Sequence, residues 1–141
     1  MSETLRISFE PHNEGQTQHV VDGVVNHNIA QTGQDAWFPV RYYLRGEGDT
    51  IMGGLLGRIW GQWLHINILW VAHAARGKGY AREMLTLAEA YARRRGCVGM
   101  HLETFSFQAR PLYERLGFEV FGQIDDYPPG HTQFFLKKRL A

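Results

Sequence analysis

The chain has 141 residues, 44% of them hydrophobic and 21% charged, which is typical of one ordinary globular domain. The formal net charge of +1 argues against a protein that binds nucleic acid by neutralising many phosphates, and no apolar stretch approaches the ~18 residues of a membrane span. With no N-terminal apolar leader and a single cysteine, Cys97, we expect one domain over residues 1–141, cytoplasmic and without an intrachain disulfide.

The first half of the chain predicts a strand, a helix and an antiparallel meander. Residues 4–9 alternate as a strand, and the apolar positions of 14–31 fall on one helical face. The stretches 40–45 and 50–60 flank a glycine-rich turn and predict a hairpin, which continues into a buried strand over 65–71.

A glycine-rich turn follows that strand and opens a helix that includes 82–92. Its sequence is Arg76-Gly77-Lys78-Gly79-Tyr80-Ala81. The first backbone N–H groups of a helix have no intrahelical partner and carry partial positive charge, so they bind a phosphate or diphosphate. Glycines let the backbone approach such an anion closely, and the two cations add countercharge. The turn lacks the third glycine of the dinucleotide fingerprint and does not match the P-loop pattern.

The rest of the chain predicts a strand over 98–105, a short helix beginning near Pro111, and two strands over 118–124 and 133–138. The turn 76–81 resembles the Arg/Gln-x-x-Gly-x-Gly/Ala diphosphate loop of the GNAT superfamily of acyl-CoA N-acyltransferases. The segment Pro111-Leu112-Tyr113-Glu114-Arg115-Leu116-Gly117-Phe118 is similar to that superfamily's Tyr-x-x-x-Gly-Phe motif. The resemblance is strongest from 65 to 131, where the chain looks like a small bacterial single-domain subgroup.

The resemblance implies an α/β (α+β) GNAT fold. Its mixed, mostly antiparallel sheet would have about six to seven strands flanked by helices, and it would splay between strands 65–71 and 98–105. Acetyl-CoA, or a related acyl-CoA, would bind as cosubstrate, with its pantetheine arm along one strand edge and its diphosphate on the turn. The residues expected to contact it are Leu69, Trp70, Val71, Arg76, Gly77, Lys78, Gly79, Tyr80 and Ala81. A backbone N–H near Leu69 or Val71 would stabilise the tetrahedral intermediate.

Three side chains are the candidate catalytic residues. Tyr113 occupies the position where family members commonly carry a tyrosine that protonates the departing thiolate. A histidine has a suitable pKa for deprotonating the amine, and on an alternating strand His65 shares a face with Asn67, Leu69 and Val71. Glu103, on the adjacent strand, is the rival base, acting directly or through water. The sequence leaves the choice open.

The acceptor side is less defined by sequence. Trp37 lies in a connection that GNAT folds often use to wall the acceptor pocket, and Asp126 and Tyr127 precede a rigid Pro-Pro-Gly turn. These three residues are the candidate substrate contacts. The histidines show no ligand spacing such as His-x-x-x-His, so we expect no metal.

The leading hypothesis is therefore an N-acetyltransferase acting on a primary amine of a small molecule, peptide or protein. The acceptor amine is the expected partner, without nucleic acid or membrane, and a homodimer is a family-level expectation. The alternative is a non-catalytic acyl-CoA-binding sensor or interaction module of the same fold.

Overall fold

The structure, a computed structural model, describes residues 3–140 and groups the chain into two compact units, Met1–Asp35 and Ala36–Ala141. The first unit contains one helix, α1 (Glu14–Thr32), which confirms the helix expected over 14–31. The Asn13 side chain caps its start by accepting a hydrogen bond from the Gln16 amide at 3.0 Å. Gly33 ends it in a left-handed conformation with φ of 70°.

The strand expected over residues 4–9 does not form. That segment is neither helical nor extended in a sheet, and no described strand pairs with it. Leu5, Ile7 and Phe9 are almost fully exposed. Alternating apolar residues form a stable strand only where a neighbouring strand takes their backbone hydrogen bonds and another layer covers their apolar side, and this segment has neither.

Within its described residues, the second unit has a six-stranded sheet and two α-helices. The strands are β1 (Phe38–Arg45), β2 (Ile51–Trp60), β3 (Trp63–Val71), β4 (Gly99–Phe105), β5 (Glu119–Asp125) and β6 (Thr132–Arg139). Helix α2 (Tyr80–Arg94) connects β3 to β4, and the short α3 (Arg110–Arg115) connects β4 to β5. The spatial order is β1-β2-β3-β4-β6-β5, and only β3 and β4 pair in parallel. The mixed, mostly antiparallel sheet is the expected one, with six strands.

The core lies between α2 and one face of this sheet. Met84, Leu85, Ala88 and Ala92 form the buried stripe of α2. They belong to one apolar cluster with the fully buried strand residues Leu55, Leu64, Met100, Leu102 and Leu136. Cys97, just after α2, is buried in the same cluster, and burial raises the pKa of its thiol.

Because side chains alternate along a strand, the residues between these core positions project from the opposite face of the sheet. We call this the open face and define it by His65, His101 and Glu103, three partly buried residues of β3 and β4. At the start of β4, Gly99 allows the Trp63 ring to lie close to the backbone, since a Cβ on Gly99 would lie 2.3 Å from that ring.

Candidate active site

The central parallel pair of strands separates before either strand ends. β3 and β4 are paired only from Trp63 with Gly99 to Ile66 with Leu102. Beyond that point they diverge and border an open cleft of about 680 Å³. It is lined by Asn67, Ile68, Leu69, Trp70, Val71, Arg76, Ala81, Glu103, Thr104, Phe105, Phe107, Gln108, Ala109, Leu112, Tyr113 and Gln133. The splay lies between the two strands where we expected it.

A β-bulge in β3 changes which of its side chains share a face. Gly57 of β2 pairs with Ile66 and Leu56 pairs with Ile68, so Asn67 is an extra residue in the ladder. Past this point Leu69 and Val71, not Ile68, pack against the core cluster. Our expectation that His65, Leu69 and Val71 share a face is therefore wrong, because it assumed unbroken alternation. The bulge sits where the splay begins and changes the direction of the strand's side chains and amides there.

The start of α2 lies beside the end of the cleft that is lined by Val71, Arg76 and Ala81. Gly77 and Gly79 adopt left-handed φ angles of 74° and 87°, and a Cβ on either would meet nothing within 4 Å. Gly79 is the N-cap, and no side chain caps the helix. The first amides of the helix are thus free of a capping side chain, in the arrangement that favours an anionic group.

Arg76 connects this turn to the end of β3. Its Nε donates a hydrogen bond to the carbonyl oxygen of Val71 at 2.9 Å, and both residues line the cleft together with Ala81. Lys78 and Tyr80 do not line the cleft. The turn therefore contributes one cation, Arg76, to the lining of the cleft.

Tyr113 reaches the cleft from α3. Its side chain is only 7% exposed and packs edge-on against Phe118, with ring centroids 6.0 Å apart. Burial raises the pKa of its phenol, which keeps the hydroxyl protonated at neutral pH. No described side-chain oxygen or nitrogen is both fully buried and without a partner. Tyr113 therefore lines the cleft with a protonated phenol.

The structure brings the two rival bases together. His65 Nε2 and Glu103 Oε2 are 2.9 Å apart, and Asn67 Nδ2 lies 3.2 Å from His65 Nδ1. A carboxylate only accepts hydrogen bonds, so the imidazole donates from Nε2, and its Nδ1 then accepts from the Asn67 amide. Both ring nitrogens are therefore engaged. Glu103, which lines the cleft, keeps a second carboxylate oxygen for another partner.

His101, which the sequence analysis did not single out, stacks on His65 from β4. The two rings are 4.3 Å apart between centroids and 2° from parallel. Burial lowers the pKa of His101, His65 and Arg58 lower it further, and Glu103 opposes them. His101 and Glu103 are two residues apart on one strand and so share a face. Since Glu103 was already expected on the strand beside His65, the His101-Leu102-Glu103 pattern could have identified His101.

The ligand atoms of His65, His101 and Glu103 lie within 4.8 Å of one another, a grouping that the sequence spacing does not reveal. A metal ion binds an imidazole nitrogen close to the plane of the ring. Because the two rings are parallel and stacked, one ion cannot lie in both planes unless a ring rotates. The observed arrangement fits a hydrogen-bonded carboxylate–imidazole pair better than a set of metal ligands.

The candidate acceptor contacts lie in different places. Tyr127 packs edge-on against the cleft residue Phe105, with ring centroids 5.5 Å apart, and the exposed Asp126 precedes it. Trp37 stands just before β1, next to Phe38, whereas Leu44 is the β1 residue level with the cleft end of β3. At about 3.3 Å per residue, the seven residues from Trp37 to Leu44 span about 23 Å. Trp37 is therefore not brought to the cleft.

Residues 8–118 match the model of the family described as "Acetyltransferase (GNAT) family". The chain belongs to this family, and the splayed six-stranded sheet is the fold of its members. Acetyl transfer is thus the class of reaction that the chain's family defines.

The chain is similar to individual acetyltransferases over most of its length. It is 44% identical over 99 residues to the blasticidin-S acetyltransferase of Streptomyces morookaense, covering 70% of this chain and 73% of that protein. It is 34% identical over 119 residues to acetyltransferase Atu2258 of Agrobacterium fabrum, covering 84% and 87%. A crystal structure of an acetyltransferase from Bacillus cereus superposes with a TM-score of 0.84 at 30% identity, covering 95% and 98%. Among residues 3–140, no helix combines the length and apolar character needed to cross a bilayer.

Proposed function

We propose that this protein transfers the acetyl group of acetyl-CoA to a primary amine of a small molecule, by direct attack of the amine on the thioester. One observation carries the proposal. A single cleft has the uncapped start of α2 at one end, the phenol of Tyr113 in its wall and the carboxylate of Glu103 on the open face.

The donor would lie along the cleft from the turn to the splay. The diphosphate would accept hydrogen bonds from the amides of 77–81, with Arg76 and Lys78 as countercharges. The pantetheine arm carries amide groups and would pair with the exposed edge of Leu69–Val71 as an added strand. The thioester carbonyl would then face a backbone N–H near Leu69 or Val71, an oxyanion donor in the tetrahedral intermediate.

Glu103 is the proposed base, with His65 as the residue that positions it. The carboxylate accepts a proton from the ammonium, directly or through water, which frees the nitrogen lone pair to attack the carbonyl carbon. His65 holds one carboxylate oxygen at 2.9 Å, and the Asn67 amide fixes the imidazole in turn. This hydrogen-bonding order favours Glu103 over His65, because His65 has no nitrogen left for substrate.

Tyr113 is the proposed acid. When the intermediate collapses, the C–S bond breaks and the sulfur takes the phenolic proton. The phenolate recovers a proton, through water, from the nitrogen that has become an amide. The net reaction consumes one ammonium and one thioester and yields one amide, one thiol and one proton.

A small molecule is preferred over a protein acceptor because the relative with 44% identity is named for a small molecule, blasticidin S. The test is release of free CoA thiol from acetyl-CoA, with blasticidin S and a panel of primary amines as acceptors. Acceptor-dependent thiol release with a mass gain of one acetyl group on the amine would support the proposal. Tight acetyl-CoA binding without turnover on any amine would instead favour the non-catalytic module.

A further inference from the structure

A cluster of aromatic side chains borders the cleft near Glu103, and two of its members, Phe105 and Phe107, line the cleft. We call it the aromatic wall and define it as Phe105, Phe107, Tyr127 and His131. Phe105 and Phe107 stack with centroids 5.2 Å apart, Tyr127 meets Phe105 edge-on, and His131 meets Phe107 edge-on at 5.0 Å. Phe107 and Tyr127 are 56% and 49% exposed. Contiguous exposed aromatic surface beside a cleft is typical of ligand sites rather than of ordinary surface.

Hydrogen bonds hold the two loops that carry the wall. The Ser106 amide donates to the Thr132 carbonyl at 2.8 Å, and the Thr132 amide donates to the Ser106 hydroxyl at 3.0 Å. Gln108 Oε1 accepts from the Phe105 amide at 3.0 Å, and the Tyr127 amide donates to the His131 carbonyl at 3.0 Å. The rings are therefore presented by anchored loops, and a ligand that packs on them does not have to order the loops first.

The wall has a fixed relation to the proposed base. Glu103 and Phe105 are two residues apart on β4, so both project from the open face, and their Cα atoms are about 7 Å apart. If the ring of an acceptor packs on Phe105 and Phe107, a short spacer is therefore enough to bring its amine to the carboxylate of Glu103. The Glu103 carboxylate then attracts the ammonium, and the aromatic wall packs against the ring.

We propose that the acceptor is an arylalkylamine, a primary amine joined by a short spacer to a planar aromatic ring that packs on the aromatic wall. This substrate class rests on the proposed function, because it assigns the acceptor of the same reaction. The donor contacts proposed for the turn 76–81 and for Leu69–Val71 do not include any residue of the wall. The ring site and the donor site are thus separable by mutation.

The test compares two acceptors that differ only in the ring, 2-phenylethylamine and 2-cyclohexylethylamine, with acetyl-CoA as donor. Both have the same spacer and an ordinary alkylamine, so a difference in kcat/KM between them reports on the packing of a flat ring against aromatic side chains. We expect kcat/KM to be about 3- to 10-fold higher for the aromatic amine, the ratio given by favourable aromatic pairing. Equal values for the two amines would overturn the inference while leaving the acetyl transfer intact.

Two variants assign the preference to the wall. Phe107→Leu keeps apolar volume but removes the exposed ring, and should bring the ratio close to one with unchanged acetyl-CoA affinity. Phe121→Leu is the matched control, because Phe121 is 55% exposed on β5 and does not line the cleft. It should keep the ratio of the parent protein. A loss of acetyl-CoA affinity in Phe107→Leu would also overturn the inference, since the wall would then serve the donor.

The outcome remains decisive if no amine is acetylated, a result that defeats the proposed function. Calorimetry with the same two amines, in the presence of CoA, then measures the ring preference alone. Tighter binding of 2-phenylethylamine, lost in Phe107→Leu, would support the aromatic site. Equal or undetectable binding of both amines would reject it.

Discussion

Replacing Glu103 by Gln removes the proposed base and keeps the size of the side chain. If the acceptor has an ordinary amine pKa of about 10.4, only about one molecule in ~2,500 is neutral at pH 7, a handicap of about 4.6 kcal/mol. A positioned base contributes about 10²- to 10⁴-fold, or roughly 2.7–5.5 kcal/mol, so it offsets a handicap of this size. We therefore expect Glu103→Gln to lower kcat/KM at pH 7 by about 100-fold or more.

The pH dependence distinguishes loss of the base from a general defect. In the variant, attack depends on amine already neutral in solution, so kcat/KM should rise about tenfold per pH unit until the acceptor's own pKa. Thiol release measured from pH 6 to 10 would show this slope. Glu119→Gln is the control, because Glu119 is an exposed carboxylate on β5 that does not line the cleft. A Glu103→Gln variant with near-parental activity and an unchanged acidic limb would refute the assignment.

Three further predictions test other parts of the structure. Tyr113→Phe should lower kcat about 10-fold or more with little change in acetyl-CoA affinity, because only the phenolic proton is lost; an unchanged kcat in steady-state assays would remove the acid role. Gly99→Ala should destabilise the fold by about 1–3 kcal/mol in urea denaturation, because its Cβ would collide with Trp63. Gly23→Ala, where a Cβ meets nothing within 4 Å, is the control, and equal stability of the two variants would contradict this reasoning. Burial chiefly lowers the pKa of His101, so the unfolded chain takes up its proton more readily and stability falls as pH drops below about 6.5. His101→Gln should lose less stability than the parent between pH 7.5 and 5.5, and equal losses would argue against this effect.

The sheet and its helices were largely predictable because their signals are local. The stripe of α2, the glycine turn and the hairpin each depend on residues close in sequence, and each forms as expected. The strand expected over 4–9 failed because a strand also depends on a distant partner, which local alternation does not report. The position of Trp37 failed for the same reason, since it depends on which end of β1 is level with the cleft.

Several candidate residues, among them Glu103 and Tyr113, line one cleft, but the hydrogen bonds between the candidates were not predictable. His65 and Glu103 were expected on adjacent strands, but only the register of β3 and β4 shows that their side chains share a hydrogen bond. The bulge at Asn67 was not predictable either, because the hydrophobic pattern of this segment is equally compatible with a regular strand. The same pairing of β3 and β4 places His101 beside His65.

The early end of the β3–β4 ladder, after Ile66 and Leu102, has a consequence for ligand selectivity. It leaves two strand edges facing each other in the middle of a sheet. The unpaired backbone groups of such edges can pair with any extended molecule that carries amide groups. Amide pairing alone would not distinguish pantetheine from an unstructured peptide. Discrimination must then come from the end proposed to hold the diphosphate, and pantetheine without its nucleotide should compete poorly with the intact coenzyme.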